Sequence, residues 1–237
     1  MFERPHHQGV AKVLGALDGT LLCSNACLFG GGTAIALRYG EFRESVDIDF
    51  LVSYVDGYRR LRQLLTGPAG ISGIVREGST LNPTRAVRAD QYGIRTMLEV
   101  DGHEVKFEIV LEARIELARP GPDDVVCGVA TLAPLDMVVS KLLANSDRWA
   151  DDGVFSRDLI DLAVMAERPA LLRTAVMKAE SAYGASLLVD LAKAIAQLKN
   201  RLGRLERRMQ AMDIRMPSAL MWQKIRALER RVSRSGR

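Results

Sequence analysis

The tightest local constraint on this chain is a glycine triplet, Gly30-Gly31-Gly32, set between a short apolar segment at residues 26–29 and the run Thr33-Ala-Ile-Ala-Leu-Arg-Tyr. Glycine enters left-handed backbone conformations without steric cost, so a triplet marks a tight turn or a close approach. Segment, turn and run together read as a strand, a glycine turn and a helix starting at the glycines. Downstream, Val46-Asp-Ile-Asp-Phe-Leu-Val alternates and is rich in β-formers. It reads as a strand whose two carboxylates, Asp47 and Asp49, point to one face.

The rest of the chain builds around this unit. Val10, Val13, Leu14, Leu17 and Leu21 have helical spacing and predict one helix over 8–22, and a further helix is expected at 54–65. Segments 96–100 and 104–110 flank Asp101-Gly102, a strong two-residue hairpin signal. In the second strand Val105, Phe107 and Ile109 share one face, and Glu104, Lys106 and Glu108 share the other. Helices are expected at 135–144, behind Pro134, and at 157–165, with Asp151-Asp152-Gly153 as loop charges between them. From Leu188 the positions Leu191, Ile195, Leu198, Leu202, Leu205, Met209 and Met212 predict one long amphipathic helix ended by Pro217, and Ser218 opens a last helix reaching about Val232. The expected fold class is α+β: a mixed sheet with helices in residues 1–130, then a helical, basic domain in residues 131–237.

Charge is unevenly placed. The 237 residues carry a formal +4, but thirteen Lys and Arg stand against three acidic residues from Lys193 to Arg237, a surplus of ten that leaves the remainder at −6. An acidic body suits metal ions and a basic tail suits phosphate. Aromatic residues are only 5%, which argues against a base-stacking sheet. Cys23, Cys27 and Cys127 cannot all pair within one chain and have no neighbours to complete a zinc set, so reduced, buried thiols and a cytoplasmic location are expected. Glu3 and the absence of an apolar run behind it argue against a signal peptide, and the longest uncharged stretch, residues 19–37, holds Ser24, Asn25 and the glycine triplet, poor material for a membrane helix. His6, His7 and His103 show no ligand spacing and receive no role.

Asp47 and Asp49 on one strand, with Glu108 from another, make the carboxylate set of a two-metal phosphoryl-transfer site. Oxygen-only ligands suit magnesium or manganese. The glycine turn brings backbone amides at a helix N-terminus toward phosphate oxygens, and Lys141 and Arg157 are candidate cations for the charge that develops there. Glu108 is equally able to pair with Lys106 or a cross-strand cation as an ion pair.

Phe29-Gly-Gly-Gly-Thr-Ala-Ile-Ala-Leu-Arg-Tyr-Gly, Ser45-Val-Asp-Ile-Asp-Phe, Val105-Lys-Phe-Glu-Ile, and Lys141-Leu-Leu-Ala with Arg157-Asp-Leu-Ile-Asp-Leu resemble, in order, the motifs of the AbiEii/AbiGii-type nucleotidyltransferases of the polymerase-β superfamily. The resemblance spans 29–162. It implies a minimal nucleotidyltransferase fold with a helical C-terminal domain, often the toxin of a type IV-like toxin-antitoxin pair, in some members moving nucleotides from an NTP to tRNA 3′ ends. By that resemblance Asp47 and Asp49 match the metal-binding pair and Ser45 the serine before it. Lys141 matches the nucleotide-phosphate lysine, and Asp161, with Asp158 beside it, the aspartate of the last motif. Thr33 stands where the superfamily has serine, and Glu108 is longer than the usual third carboxylate, so it serves as metal ligand or as base.

The resulting expectation is a magnesium-dependent enzyme that moves a nucleoside monophosphate from an NTP to a hydroxyl on RNA. Asp47, Asp49 and Glu108 hold metal; Gly31, Gly32, Thr33 and Ser45 contact phosphate; Lys141 and Arg157 bind the triphosphate. Nucleotidylation of a small molecule or protein, and a non-catalytic binding protein on the same fold, are the rival readings. For the last motif, the bland alternative is a structural Arg157–Asp158 ion pair with Asp161 orienting Lys141. The basic tail is open to three uses: a solvated face over a packing seam, an RNA-backbone surface, or a dock for an acidic antitoxin.

Overall fold

The computed structural model describes residues 2–154 and 156–235, the side chains of Arg234 and Ser235 excepted. The chain forms two compact units: one runs to Glu41 and then over Ser45–Ala133, the other comprises Phe42–Glu44 and the chain from Pro134 onward.

The first unit is a mixed sheet with helices. It opens with α1 (Pro5–Ala16) and α2 (Gly19–Ser24), where the spacing predicted a single helix. The break falls at Leu17, which is extended, and at Asp18, whose carboxylate caps the second helix by accepting the Leu21 amide at 2.9 Å. Next come β1 (Cys27–Gly30), α3 (Gly31–Arg38), β2 (Ile48–Val52) and α4 (Val55–Thr66). The strands β3 (Asn82–Pro83), β4 (Arg88–Ala89), β5 (Gly93–Val100) and β6 (His103–Leu111) complete the sheet, and β7 (Val125–Val126) pairs with β8 (Val129–Ala130) separately. Strand order is β1-β2-β6-β5-β3, with β4 also on β5; β2 and β6 run parallel and the other pairs antiparallel. Asp101 and Gly102 both take positive φ, 51° and 79°, which is what a tight β5–β6 turn requires.

Alternation divides the two faces of this sheet. Ile48, Phe50, Phe107 and Ile109 are buried, and the rings of Phe29, Phe50 and Phe107 lie 5.6 and 5.7 Å apart across β1, β2 and β6. Such tilted ring pairs add about 0.5–1.5 kcal/mol beyond their area. The carboxylates of β2 and β6 therefore emerge on the opposite face.

The second unit is helical among the described residues: α5 (Pro134–Arg148), α6 (Arg157–Met165), α7 (Pro169–Tyr183), α8 (Ser186–Lys199), α9 (Arg204–Ala211) and α10 (Ser218–Ser235). α7 was not anticipated. Two of its four buried residues are alanines, Ala175 and Ala179 beside Leu172 and Val176, so its apolar stripe is weak in the sequence. The long helix expected from Leu188 to Met212 is two helices. Gly203 has φ +69°, and Leu202, counted in the stripe, is 98% exposed in the turn between them. Along α10, Met221, Ile225, Leu228 and Val232 are buried, each contributing about 1.5–3 kcal/mol of apolar burial.

Much of the basic tail is structural. Lys199 pairs with Glu229 at 2.6 Å, Lys224 with Glu167 at 2.5 Å, and Arg204 and Arg208 both reach Asp152, one of the loop charges given no role. Arg201, Arg226 and Arg230 are exposed with no ion-pair partner among the described residues. Arg237 and the Arg234 side chain, both counted in the tail, lie outside the description. The three thiols are free, but only Cys27 is buried; Cys23 is exposed and Cys127 half-buried, a correction to the expectation of three buried thiols.

Candidate active site

In the first unit one cross-strand row carries the chemistry-bearing residues. Gly30 on β1 is opposite Asp49 on β2, Asp49 is opposite Glu108 on β6, and Glu108 is opposite Arg95 on β5. Ile48 and Phe50 are fully buried and hold β2 in register, leaving Asp47, just before the strand, and Asp49 half-buried on the open face. A one-residue slip would turn both carboxylates into the apolar core.

The glycine turn fits closely against this pair. Gly31 has φ +66°, and a Cβ there would lie 2.8 Å from the Asp49 Cβ and clash with its carboxylate oxygen. Only glycine permits this approach of the α3 amino end to Asp49. Thr33 is buried in α3, and its hydroxyl donates to Ser45 Oγ at 2.8 Å. Thr33 and Ser45 therefore meet each other.

His7, given no role from sequence, holds this segment from behind. It is fully buried; its Nε2 accepts the Ser45 amide at 3.2 Å while Nδ1 lies 2.7 Å from Glu41 Oε1. That arrangement places the ring proton on Nδ1. Burial would raise the Glu41 carboxyl, but the amides of Glu3 and Arg4 and the His7 ring hold it below its usual value. His7 lies thirty-eight residues from Ser45 on a helix, with no spacing signal to reveal it.

Glu108 is buried and accepts from Arg95 Nε and Lys106 Nζ, both at 2.5 Å. Both pairings weighed for it, with Lys106 and with a cross-strand cation, occur together. Burial would lower the Lys106 ammonium, yet Glu108, Asp49 and Asp47 together raise it, so this lysine feels all three carboxylates. Among the described residues no group of three or more His, Cys, Asp or Glu side chains is gathered to hold a metal ion. Asp47 and Asp49 nevertheless fit a hard divalent cation: both are half-buried oxygen donors, two residues apart at the start of β2, and a glycine turn packs closely against Asp49.

The remaining sequence-predicted residues fall in the second unit. Lys141 on α5 is buried, with Nζ 2.8 Å from Asp158 Oδ1 and 2.9 Å from Asp161 Oδ2, both on α6. Two arginines that sequence reasoning missed complete the cluster. Arg43 makes a two-pronged contact with Asp161 at 2.7 and 2.9 Å, and Arg148 does the same to Asp158 at 2.7 and 2.9 Å. Burial would raise Asp158, but the charges of Lys141 and Arg148 hold it far below the ordinary carboxylate range. Burial opposes the Arg43 charge, and Asp161 more than restores it. Arg148 lies two helical turns beyond Lys141, on the same face, a spacing that offered a signal; Arg43 stands 118 residues from its partner and offered none. Arg157 does not pair with Asp158 and has no ion-pair partner among the described residues.

Comparison with known proteins supplies a family. The sequence profile described as "Nucleotidyl transferase AbiEii toxin, Type IV TA system" matches residues 16–228. A crystal structure from H. pylori, of a protein proposed to be a nucleotidyltransferase, is 16% identical, covers 97% of this chain and 92% of its own, and has a TM-score of 0.52. JHP933 from Helicobacter pylori matches at the same identity and TM-score, over 99% and 93% of the two chains. These likenesses show a shared fold. No curated protein sequence matches the chain.

Proposed function

This chain belongs to the AbiEii nucleotidyltransferase toxin family of type IV toxin-antitoxin systems, and from that membership we propose that it moves a nucleoside monophosphate from an NTP to a hydroxyl on RNA, at a tRNA 3′ end. The observation that carries the proposal is the row Gly30–Asp49–Glu108, which sets the amino end of α3 beside Asp49 on β2, with Asp47 just before that strand. A helix amino end carries partial positive charge and free amides suited to phosphate. Gly31 and Gly32 take the donor phosphates there. Thr33 and Ser45, joined hydroxyl to hydroxyl and fixed by His7, shape the segment leading to Asp47.

Asp47 and Asp49 are the residues that would hold magnesium or manganese, with Glu108 adjacent in register. Such an ion neutralises phosphate charge and orients the reacting oxygens. Arg95 and Lys106 hold the Glu108 carboxylate fixed in position. In the second unit Asp158 and Asp161 orient the Lys141 ammonium, and Lys141 and Arg157 are that unit's proposed phosphate-binding cations. Among the described residues no helix is long and apolar enough to cross a membrane. The family membership is the ground on which the enzyme is assigned to the cytoplasm with an antitoxin as partner. The test is incubation with each labelled NTP, with and without tRNA. Label on the RNA is expected; label on protein or small molecule, with the RNA unlabelled, overturns the RNA assignment.

A further inference from the structure

Beyond Glu108 the open face of the sheet continues into a groove. It is lined by Arg85, Arg88, Arg95 and Lys106 around a floor that includes Ala86 and Met97. All of its ionisable lining residues are cations. The row described above reaches it directly: Glu108 on β6 is opposite Arg95 on β5, and Arg95 is opposite Arg88 on β4. Three strand spacings separate Asp49 from Arg88, about 14 Å. Arg88 is exposed with no ion-pair partner among the described residues, and Arg85 has only an exposed contact with Glu104 at 3.7 Å. Arg95 and Lys106 are shared with Glu108, and Arg95 also reaches the exposed Asp90 at 3.1 Å, so Arg88 and Arg85 are the least engaged cations of the groove.

Phosphoryl transfer requires the attacking and leaving oxygens to lie roughly in line. The glycine turn flanks Asp49 on the β1 side, and the cationic groove flanks it on the β6 side. With the donor phosphates at the α3 amino end, the leaving group departs on the β1 side. The acceptor hydroxyl must then arrive from the β6, β5 and β4 side.

We propose that the groove of Arg85, Arg88, Arg95 and Lys106 binds the phosphodiester backbone of the acceptor RNA strand and leads its terminal hydroxyl to Asp49. The groove extends beyond the reach of a triphosphate bound at Asp47 and Asp49. Its apolar floor accepts a base or ribose face while the rim cations meet phosphates. The inference rests on the nucleotidyltransferase reading, and it moves RNA contact from the tail, where many cations are already paired, to the sheet.

The test compares three full-length proteins: wild type, Arg85→Gln/Arg88→Gln, and Arg226→Gln/Arg230→Gln on α10. Binding of a short fluorescent single-stranded RNA and of a tRNA transcript is followed by anisotropy across a KCl series, and NTP binding by calorimetry. For single strands each phosphate contact contributes about −0.7 to the salt slope, about fivefold in affinity at 0.1 M salt. The groove variant should lose about 1.4 from the slope and about 25-fold in affinity, with NTP binding retained; the α10 variant should match wild type. A groove variant with wild-type affinity and slope, or the loss falling on the α10 variant, overturns the proposal. So does displacement of RNA by polyglutamate at equal charge, which would assign the groove to an acidic protein. The two levels separate cleanly. If wild type and groove variant bind and extend RNA alike, the groove assignment alone fails; if wild type binds no RNA yet labels another acceptor, the RNA reading fails with it.

Discussion

Replacing Arg43 by Met isolates the buried network of the second unit. Arg43 is 3% exposed, makes two contacts to Asp161 at 2.7 and 2.9 Å, and donates a third to the Glu44 carbonyl at 2.9 Å. Methionine keeps much of the apolar stem and removes the charge, leaving Asp161 with Lys141 as its counter-ion. The backbone of residues 42–44 stays pinned by the Glu44 amide on the Met212 carbonyl and the Arg215 amide on the Phe42 carbonyl, so the loss is confined to the ion pair and the one bond to the Glu44 carbonyl. Breaking one partner of a buried pair costs about 3–5 kcal/mol, or about 6–20 °C in Tm for a chain of this size. Urea unfolding at neutral pH reads the difference. The double variant Arg43→Met/Asp161→Leu should cost less than the sum of the single changes by about 1–3 kcal/mol, because Lys141 retains Asp158 at 2.8 Å. A single-variant loss under about 1 kcal/mol, the range of exposed pairs, or strict additivity would refute the reasoning.

Three further outcomes follow from the same geometry. Asp158 is held below its ordinary value by Lys141 and Arg148; a depressed carboxylate contributes stability that is present above the unfolded pKa of about 3.9 and lost as pH falls below it, so the stability gap between wild type and Asp158→Asn should narrow below about pH 4 in urea titrations, and a constant gap contradicts the assignment. Gly31→Ala forces a side chain into left-handed backbone against Asp49; about 1–2 kcal/mol of strain and a clear fall in kcat are expected, whereas wild-type turnover would mean that the close approach is idle. His7→Leu leaves the Ser45 amide and Glu41 without their ring partner; about 1–3 kcal/mol should be lost to thermal unfolding, with Ser45 less protected in amide exchange, and unchanged exchange would remove His7 from the support of this segment.

What the sequence discloses and what it hides divide along sequence distance. Strand, glycine turn, helix and the Asp47–Asp49 alternation are written in consecutive residues, and so is the β5–β6 turn at Asp101-Gly102. Two helix breaks were hidden because the residues responsible act through conformation: Asp18 turns from helix surface to cap, and Gly203 turns the chain while the apolar spacing runs on through Leu202. The supporting groups were hidden for another reason. His7 meets Ser45, and Arg43 meets Asp161, across 38 and 118 residues, and no local pattern encodes either meeting. Glu108 shows the intermediate case: its partners, Lys106 two residues away and Arg95 across the hairpin, were both foreseeable, but their simultaneous engagement needed the register.

The central claim is that Asp49, backed by Gly31 and opposite Glu108, is indispensable to nucleotidyl transfer. Transfer of label from NTP to tRNA by wild type and by Asp49→Ala, at matched concentration and with folding verified by circular dichroism, tests it most directly. The account predicts labelled RNA with wild type and none with the folded variant; transfer at the wild-type rate by Asp49→Ala would contradict it.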